Sequence, residues 1–225
     1  MILLAFYDKN FFILFYTQDV GESLMKKKFL KSSIKLIRDY DPNISDIKIE
    51  EISYGLESIY LTFTKLIIIF CLAFIFKIEI KVLTLLIFYN IIRINAFGLH
   101  ATKSIYCLIT SLLLFIGGVY VAEWLHINLF IKIILSAICV VCLFKYAPAD
   151  TEKRPLINKK KRARYKFLST LSGVIYTILI IKFNNNIVSN YLLIGMIESV
   201  LMIHPAIYKF FKLPYNNYKN YECGV

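Results

Sequence analysis

Charged residues are few in this chain, and acidic ones fewest. Charged residues make up 19% of 225 positions, with 15 Asp and Glu against 27 Lys and Arg. Histidine occurs three times, tryptophan once and cysteine five times. These scarcities exclude several chemistries. No cluster of His, Cys, Asp or Glu has metal-ligand spacing, so neither a metal nor another cofactor is expected. Neither a glycine-rich phosphate loop nor a paired-carboxylate motif occurs. Cys139 and Cys142 form a C-x-x-C, but inside an apolar run without a thioredoxin-like pattern, so they read as packing residues, as does Cys71. Cys223 is third from the end, not fourth as a prenylation signal requires. No internal repeat or low-complexity tract interrupts the chain.

Apolar residues are abundant instead: 58% of the chain is hydrophobic, 16% is aromatic and the mean hydropathy is +0.63. A soluble domain is about 45–50% apolar and 25% charged. The excess is gathered into segments at about Ser58–Phe76, Ile80–Ile94, Ser104–Val121, Ile127–Phe144, Thr170–Phe183 and Tyr191–Tyr208. Crossing ~30 Å of hydrocarbon at ~1.5 Å per residue takes about 20 residues, so the second and fifth are short. The fold class expected is all-α: a polytopic integral membrane protein of about six transmembrane helices.

The basic residues lie between these runs, on alternate sides. Those before Ser58, Arg93 and Lys103, the group from Lys145 to Lys166, and Lys209, Lys212 and Lys219 fall in one set of loops. The opposite loops are short and nearly uncharged. By the positive-inside rule both termini are cytoplasmic. The same placement accounts for the net charge of +12 and excludes nucleic acid as a partner, since no basic patch on a soluble fold is implied.

Four stretches follow. Residues 1–24 lack a basic n-region and are no cleaved signal peptide. Met25-Lys-Lys-Lys28 is a more ordinary start for a cytoplasmic N-terminus, and Gly21-Glu22-Ser23 is compatible with an encoded ribosome-binding site. The expectation is that 1–24 is a mis-annotated or disordered extension. Residues 25–57 form a cytoplasmic amphipathic segment, in which Leu30, Ile34 and Ile37 recur at helical spacing among lysines, as in a helix on the inner leaflet. Asp41-Pro42 should end that helix. Residues 58–208 are the transmembrane domain, and 209–225 a cytoplasmic tail.

One place combines candidate nucleophile and base. His100 lies in Arg93-Ile-Asn-Ala-Phe-Gly-Leu-His-Ala-Thr-Lys-Ser-Ile-Tyr-Cys107, at the cytoplasmic mouth between the second and third spans. A thiol near a helix N-terminus or an imidazole is readily made a thiolate nucleophile. Seven residues of helix is about 10.5 Å of rise, whereas a proton transfer needs contact at about 3 Å. A His100–Cys107 pair therefore requires the helix to break near Gly98–His100. His126 and His204 read as interfacial or packing residues.

Residues Arg93 to Cys107 resemble the hallmark of the accessory gene regulator B (AgrB) family of Gram-positive quorum-sensing systems: Arg93, Gly98, His100-Ala101 and Cys107. Glu51-Ile-Ser-Tyr-Gly-Leu-Glu57 resembles the segment before that family's first span. Tyr146-Ala-Pro-Ala-Asp-Thr-Glu-Lys-Arg-Pro155 resembles the start of its basic cytoplasmic loop. Many relatives have two glycines before the His, where this chain has Phe97-Gly98. The resemblance implies a cysteine endopeptidase of the cell membrane that processes an AgrD-type pheromone precursor. Cys107 would attack the C-terminal cleavage point, His100 would serve as base and then acid, and a thioester would be exchanged for a thiolactone or lactone ring. Arg93 would orient the loop or bind a substrate carboxylate, with Gly98 as the break and Asn95 as an orienting group. Lys153, Arg154, Lys159, Lys160 and Lys161 would attract the precursor's acidic tail. Expected partners are the precursor, membrane lipids and a second copy of the chain in a homodimer. The competing class is a non-catalytic peptide exporter or transporter subunit, which would need intramembrane charges or paired broken helices; Glu198 is the one deep charge that stands out.

Overall fold

The computed structural model describes residues 9–99, 104–151 and 155–222. Among them the chain is helical throughout, with an isolated bridge between Phe97 and Ala149 in place of any strand. The helices are α1 (Lys9–Tyr40), α2 (Asp46–Ile75), α3 (Glu79–Ala96), α4 (Ser104–Leu112), a π-helical turn at Leu113–Gly117, α5 (Gly118–Trp124), α6 (Leu129–Tyr146), α7 (Lys159–Lys182), α8 (Val188–Ile203), α9 (Pro205–Phe210) and α10 (Lys219–Glu222). Every apolar run of the sequence lies on a helix. Four helical stretches are long and apolar enough to cross a membrane: Asp46–Ile75, Tyr106–Trp124, Leu129–Tyr146 and Lys159–Lys182. Val188–Ile203 is apolar but shorter, and α3 carries Glu79, Lys81 and Arg93.

The chain forms two compact units, one of Met1–Cys71 with Thr102–Ile109, the other of Leu72–Ala101 with Thr110–Val225. In the first, α1 ends at Tyr40, before Asp41-Pro42, as the proline's restriction on its neighbour requires. The apolar stripe of α1 has protein partners. Ile34 and Ile37 face Ile49 and Ile52 of α2, and the Phe29 and Tyr60 rings lie 5.4 Å apart. Lys26 pairs with Glu57 at 2.7 Å. Helix α2 thus begins well before the apolar run at Ser58, because its first turns have α1 to pack on.

The second unit is built around α8. This helix is buried nearly all round, the usual state of one that is apolar on every face. Its short length fits that interior position. The neighbouring helices meet it through small residues and through hydroxyls that reach backbone carbonyls. Ser199 Oγ of α8 donates to Tyr89 O of α3 at 3.2 Å, and in the same way the Tyr176 hydroxyl ties α7 to α3 through Phe88 O at 2.9 Å. A Cβ on Gly118 would collide with the Glu198 carboxylate, so glycine lets α5 and α8 approach there. Polar contacts also tie the α8 N-terminal end. Lys132 is 4% exposed, and its ammonium donates to Ser189 Oγ at 2.6 Å and Asn184 O at 3.2 Å. Glu123 pairs with Lys81 at 2.5 Å and accepts from the Tyr191 hydroxyl at 3.2 Å.

The last span was expected to continue to Tyr208. It stops at Ile203 because Pro205 has no amide proton to continue the ladder; His204 caps the new helix instead, its Nδ1 accepting from Ala206 N at 3.2 Å. The His204 ring also packs edge-on to Tyr146 at 4.9 Å. His126 is an exposed loop residue.

Candidate functional site

Two structural features bracket the His100 segment, one in each unit. In the second unit, α3 ends at Ala96 and the chain leaves it sharply. Phe97 adopts φ 58° and ψ −131°, and Gly98 has φ 115°. Positive φ is natural for glycine and unfavourable for phenylalanine. Phe97 is held there by neighbours: its ring stands edge-on to Tyr165 at 4.9 Å. The turn then acquires three backbone bonds to distant chain. Ala149 N donates to Ala96 O at 2.9 Å, Gly98 N donates to Ala149 O at 2.8 Å, and Leu99 N donates to Met202 O at 3.0 Å.

Arg93 braces the same turn from inside. Its Nη2 donates to Leu99 O at 2.7 Å, and its guanidinium carbon lies 5.8 Å from the Tyr89 ring centre. Its Nη1 is buried with no acceptor among the described residues. Any Cβ on Gly98 would overlap this guanidinium and the Met202 carbonyl, so both conformation and space demand glycine. Asn95 lies half-buried on the last turn of α3, with no side-chain hydrogen bond among the described residues.

Behind the turn stands a group that sequence reasoning missed. Asp150 is 4% exposed, and its carboxylate accepts from Asn217 N at 3.0 Å, Tyr218 N at 2.9 Å and Leu156 N at 3.2 Å. Residues 215–218 of the tail expected at 209–225 therefore lie against the segment 146–150. The Tyr208 hydroxyl donates to Asp150 O at 3.3 Å, and that of Tyr215 to Tyr146 O at 3.3 Å. Burial pushes the Tyr215 phenol up to about 12, with Tyr146, Tyr218 and Asp150 adding to the effect. Arg162 lies over the Tyr218 ring, 3.5 Å from its centre. The Ala147–Pro148 peptide within this segment is cis.

In the first unit, Cys107 lies in the first turn of α4, half-buried. Lys65 of α2 directs its ammonium at the thiol, with Nζ 3.1 Å from Sγ. Sequence reasoning passed over Lys65, although a lysine in the middle of an apolar run is itself a signal. His100, Lys153 and Arg154 lie outside the described residues. Lys159, Lys160 and Lys161 form the exposed first turn of α7, capped by Asn158 Oδ1, which accepts from Lys161 N at 3.1 Å. Among the described residues no group of His, Cys, Asp and Glu could hold a metal ion.

The described residues define an all-helical protein with several helices long and apolar enough to cross a membrane. Within that class, the accessory gene regulator B family profile matches residues 30–203. A putative AgrB-like protein of Clostridium acetobutylicum is 30% identical over 203 residues, 90% of this chain and 96% of that protein. A putative AgrB-like protein of Listeria welshimeri is 32% identical over 174 residues, 76% of this chain and 84% of that protein. The accessory gene regulator protein B of Staphylococcus aureus is 31% identical over 140 residues, 61% of this chain and 74% of that protein. No solved structure matches the chain. The chain belongs to the accessory gene regulator B family.

Proposed function

We propose that this chain is a membrane cysteine endopeptidase that processes an AgrD-type precursor in quorum sensing. The observation that carries the proposal is the end of α3 at Ala96. Residues 97–99 leave the helix under three backbone hydrogen bonds, and a new helix holds Cys107 in its first turn. A break there is what seven-residue spacing would require of a His100–Cys107 pair, and with membership of the AgrB family it supports this reading.

The chemistry is acyl transfer. His100 takes the Cys107 proton, and Sγ attacks the carbonyl at the precursor's C-terminal cleavage point. The S–C bond forms, the C–N bond breaks, and the proton passes from His100 to the departing amine of the acidic tail. A precursor thiol or hydroxyl then attacks the thioester, closing the ring and returning the proton to Cys107. Exclusion of water by the bilayer favours exchange over hydrolysis. Both termini are cytoplasmic in this scheme, in the membrane of a Gram-positive cell.

The first turn of α7 supports recognition of an acidic tail. Lysines at a helix N-terminus oppose the macrodipole by about 0.3–1 kcal/mol each. No acidic residue offsets Lys159, Lys160 and Lys161 within that turn. An anionic partner would satisfy both the lysines and the helix end. Lys153 and Arg154 precede them in sequence and join the same basic group.

The test is co-expression with an AgrD-type precursor and mass spectrometry of the products. Cys107→Ala and His100→Ala should each abolish cleavage, and hydroxylamine should release a wild-type precursor adduct held as a thioester. Undiminished cleavage in both variants would refute the peptidase reading and leave a carrier or exporter.

A further inference from the structure

We infer that Lys65 is the built-in counter-charge of the Cys107 sulfur, holding the negative charge that develops on Sγ before attack and again when the thioester is opened. This rests on the proposed role of Cys107 as nucleophile and adds a residue that neither the family hallmark nor the sequence pattern singles out.

The geometry is local to one unit. Lys65 sits in the apolar stretch of α2, on a helix otherwise long and apolar enough to span a bilayer. A lysine there is unfavourable unless something offsets it. The ion pairs among the described residues are Lys26–Glu57, Arg38–Asp46 and Lys81–Glu123, so none of those carboxylates serves Lys65. Its ammonium instead donates to Cys107 Sγ at 3.1 Å, across 42 residues of sequence. A thiol is a weak acceptor, whereas a thiolate is a full counter-ion. The contact therefore strengthens as the sulfur becomes the nucleophile, which is the condition for a group to aid the chemistry rather than just pack.

Cys107 lies in the first turn of α4, the end of a helix at which negative charge is favoured. The lysine changes no bond in the step, because the proton leaving Sγ goes to His100 and on to the amine. Its action is electrostatic, and arginine should replace it in part.

The experiment uses the full chain in anionic lipid vesicles, with iodoacetamide as probe and mass spectrometry to read each cysteine. Buried Cys139 reports folding, since it should stay unmodified in any intact variant. Lys65→Met should slow Cys107 alkylation about tenfold, because the thiolate is the reacting form. Lys65→Arg should recover most of that loss. Precursor cleavage should follow the same order. Alkylation of Cys107 at the wild-type rate in Lys65→Met, with Cys139 protected, overturns the inference. Should Lys65→Met expose Cys139, Lys65→Arg decides: a folded arginine variant as slow as Cys107→Ser in cleavage, and with slowed alkylation, refutes a charge role. If Cys107→Ala still cleaves precursor while Lys65→Met slows alkylation, the peptidase reading fails and the Lys65 contact stands.

Discussion

Replacing Asp150 with alanine should detach the C-terminal tail and loosen the turn that leads to His100. The wild-type carboxylate accepts three backbone N–H groups, from Leu156, Asn217 and Tyr218, while 4% exposed. Hydrogen bonds to a charged group contribute about 1.5–3 kcal/mol each, and an orphaned buried donor loses about 1–3 kcal/mol. Water entering the space left by the side chain recovers part of this, and the 3.2 Å contact to Leu156 is the weakest. A loss of about 3–5 kcal/mol is expected. What remains to hold the tail is modest: the Tyr208 and Tyr215 hydroxyl bonds at 3.3 Å, their ring contact at 5.1 Å and the Arg162–Tyr218 stack. The tail should therefore open without unfolding the helices around α8. Hydrogen exchange is the assay: the Asn217 and Tyr218 amides should exchange about a hundredfold faster or more, while those of α8 keep their protection. Asp150→Asn retains one carbonyl acceptor and should fall between. Because Ala149 bonds both Ala96 and Gly98, precursor cleavage should drop as well. Wild-type protection of Asn217 and Tyr218 in Asp150→Ala would refute the reasoning, since it would mean the carboxylate does not hold the tail.

Other perturbations probe separate links. Gly98→Ala places a methyl group on Arg93 and the Met202 carbonyl at φ 115°; it should destabilise by about 2–4 kcal/mol and remove precursor cleavage, read by thermal unfolding and mass spectrometry. Phe97→Gly relieves about 1–2 kcal/mol of left-handed strain but loses an aromatic contact of about 0.5–1.5 kcal/mol, so it should be near neutral, whereas Phe97→Val should lose stability on both counts. Gly118→Ala should destabilise the wild type and cost less with Glu198→Ala, because the carboxylate is the nearest group in the space a Cβ would need and its removal leaves only a flexible Leu85 methyl to shift; additive effects in that double-mutant cycle would contradict the packing. Tyr215 has a phenol raised by burial, so its contribution is complete below about pH 10, the unfolded value, and fades as pH rises toward about 12. Phenolate absorbance should show tail release in that window, and Tyr215→Phe should abolish its pH dependence.

The helices were legible because the apolar runs are bounded by charge, and Asp41-Pro42 marks a helix end by covalent geometry. The span at Tyr191 was overextended: apolar composition continues through Tyr208, but the missing proline N–H decides the boundary. The stripe of Leu30, Ile34 and Ile37 reads equally as a lipid face or a protein face by periodicity alone, and the α2 isoleucines resolve it toward protein contact. Asp150 was illegible for a different reason. Its backbone partners lie 67 and 68 residues away, and no local pattern announces a carboxylate that accepts distant amides. Lys65 was legible in principle. A lone ammonium within an apolar run requires a partner, and asking which group could serve would have led to the nearest candidate anion.

A broken helix in a chain of this kind faces two demands. Non-helical backbone near a bilayer must find hydrogen-bond partners within the protein, and the nucleophile and base proposed here, seven residues apart, would have to leave the straight-helix path. The same residues meet the first demand and create the departure. Ala149 and Met202 take up the freed groups of 96–99, Arg93 fills the space that Gly98 leaves empty, and Phe97 accepts a glycine-like conformation at the corner. At this corner an aromatic anchor on Tyr165 stands in for the backbone freedom a glycine would supply. The turn is thereby fixed by side-chain packing, so Tyr165→Ala should impair it nearly as much as a change at the loop itself. Slowed precursor cleavage in Tyr165→Ala, restored by adding Phe97→Gly, would follow from that division of labour; no restoration would mean that the ring contact positions something other than the turn.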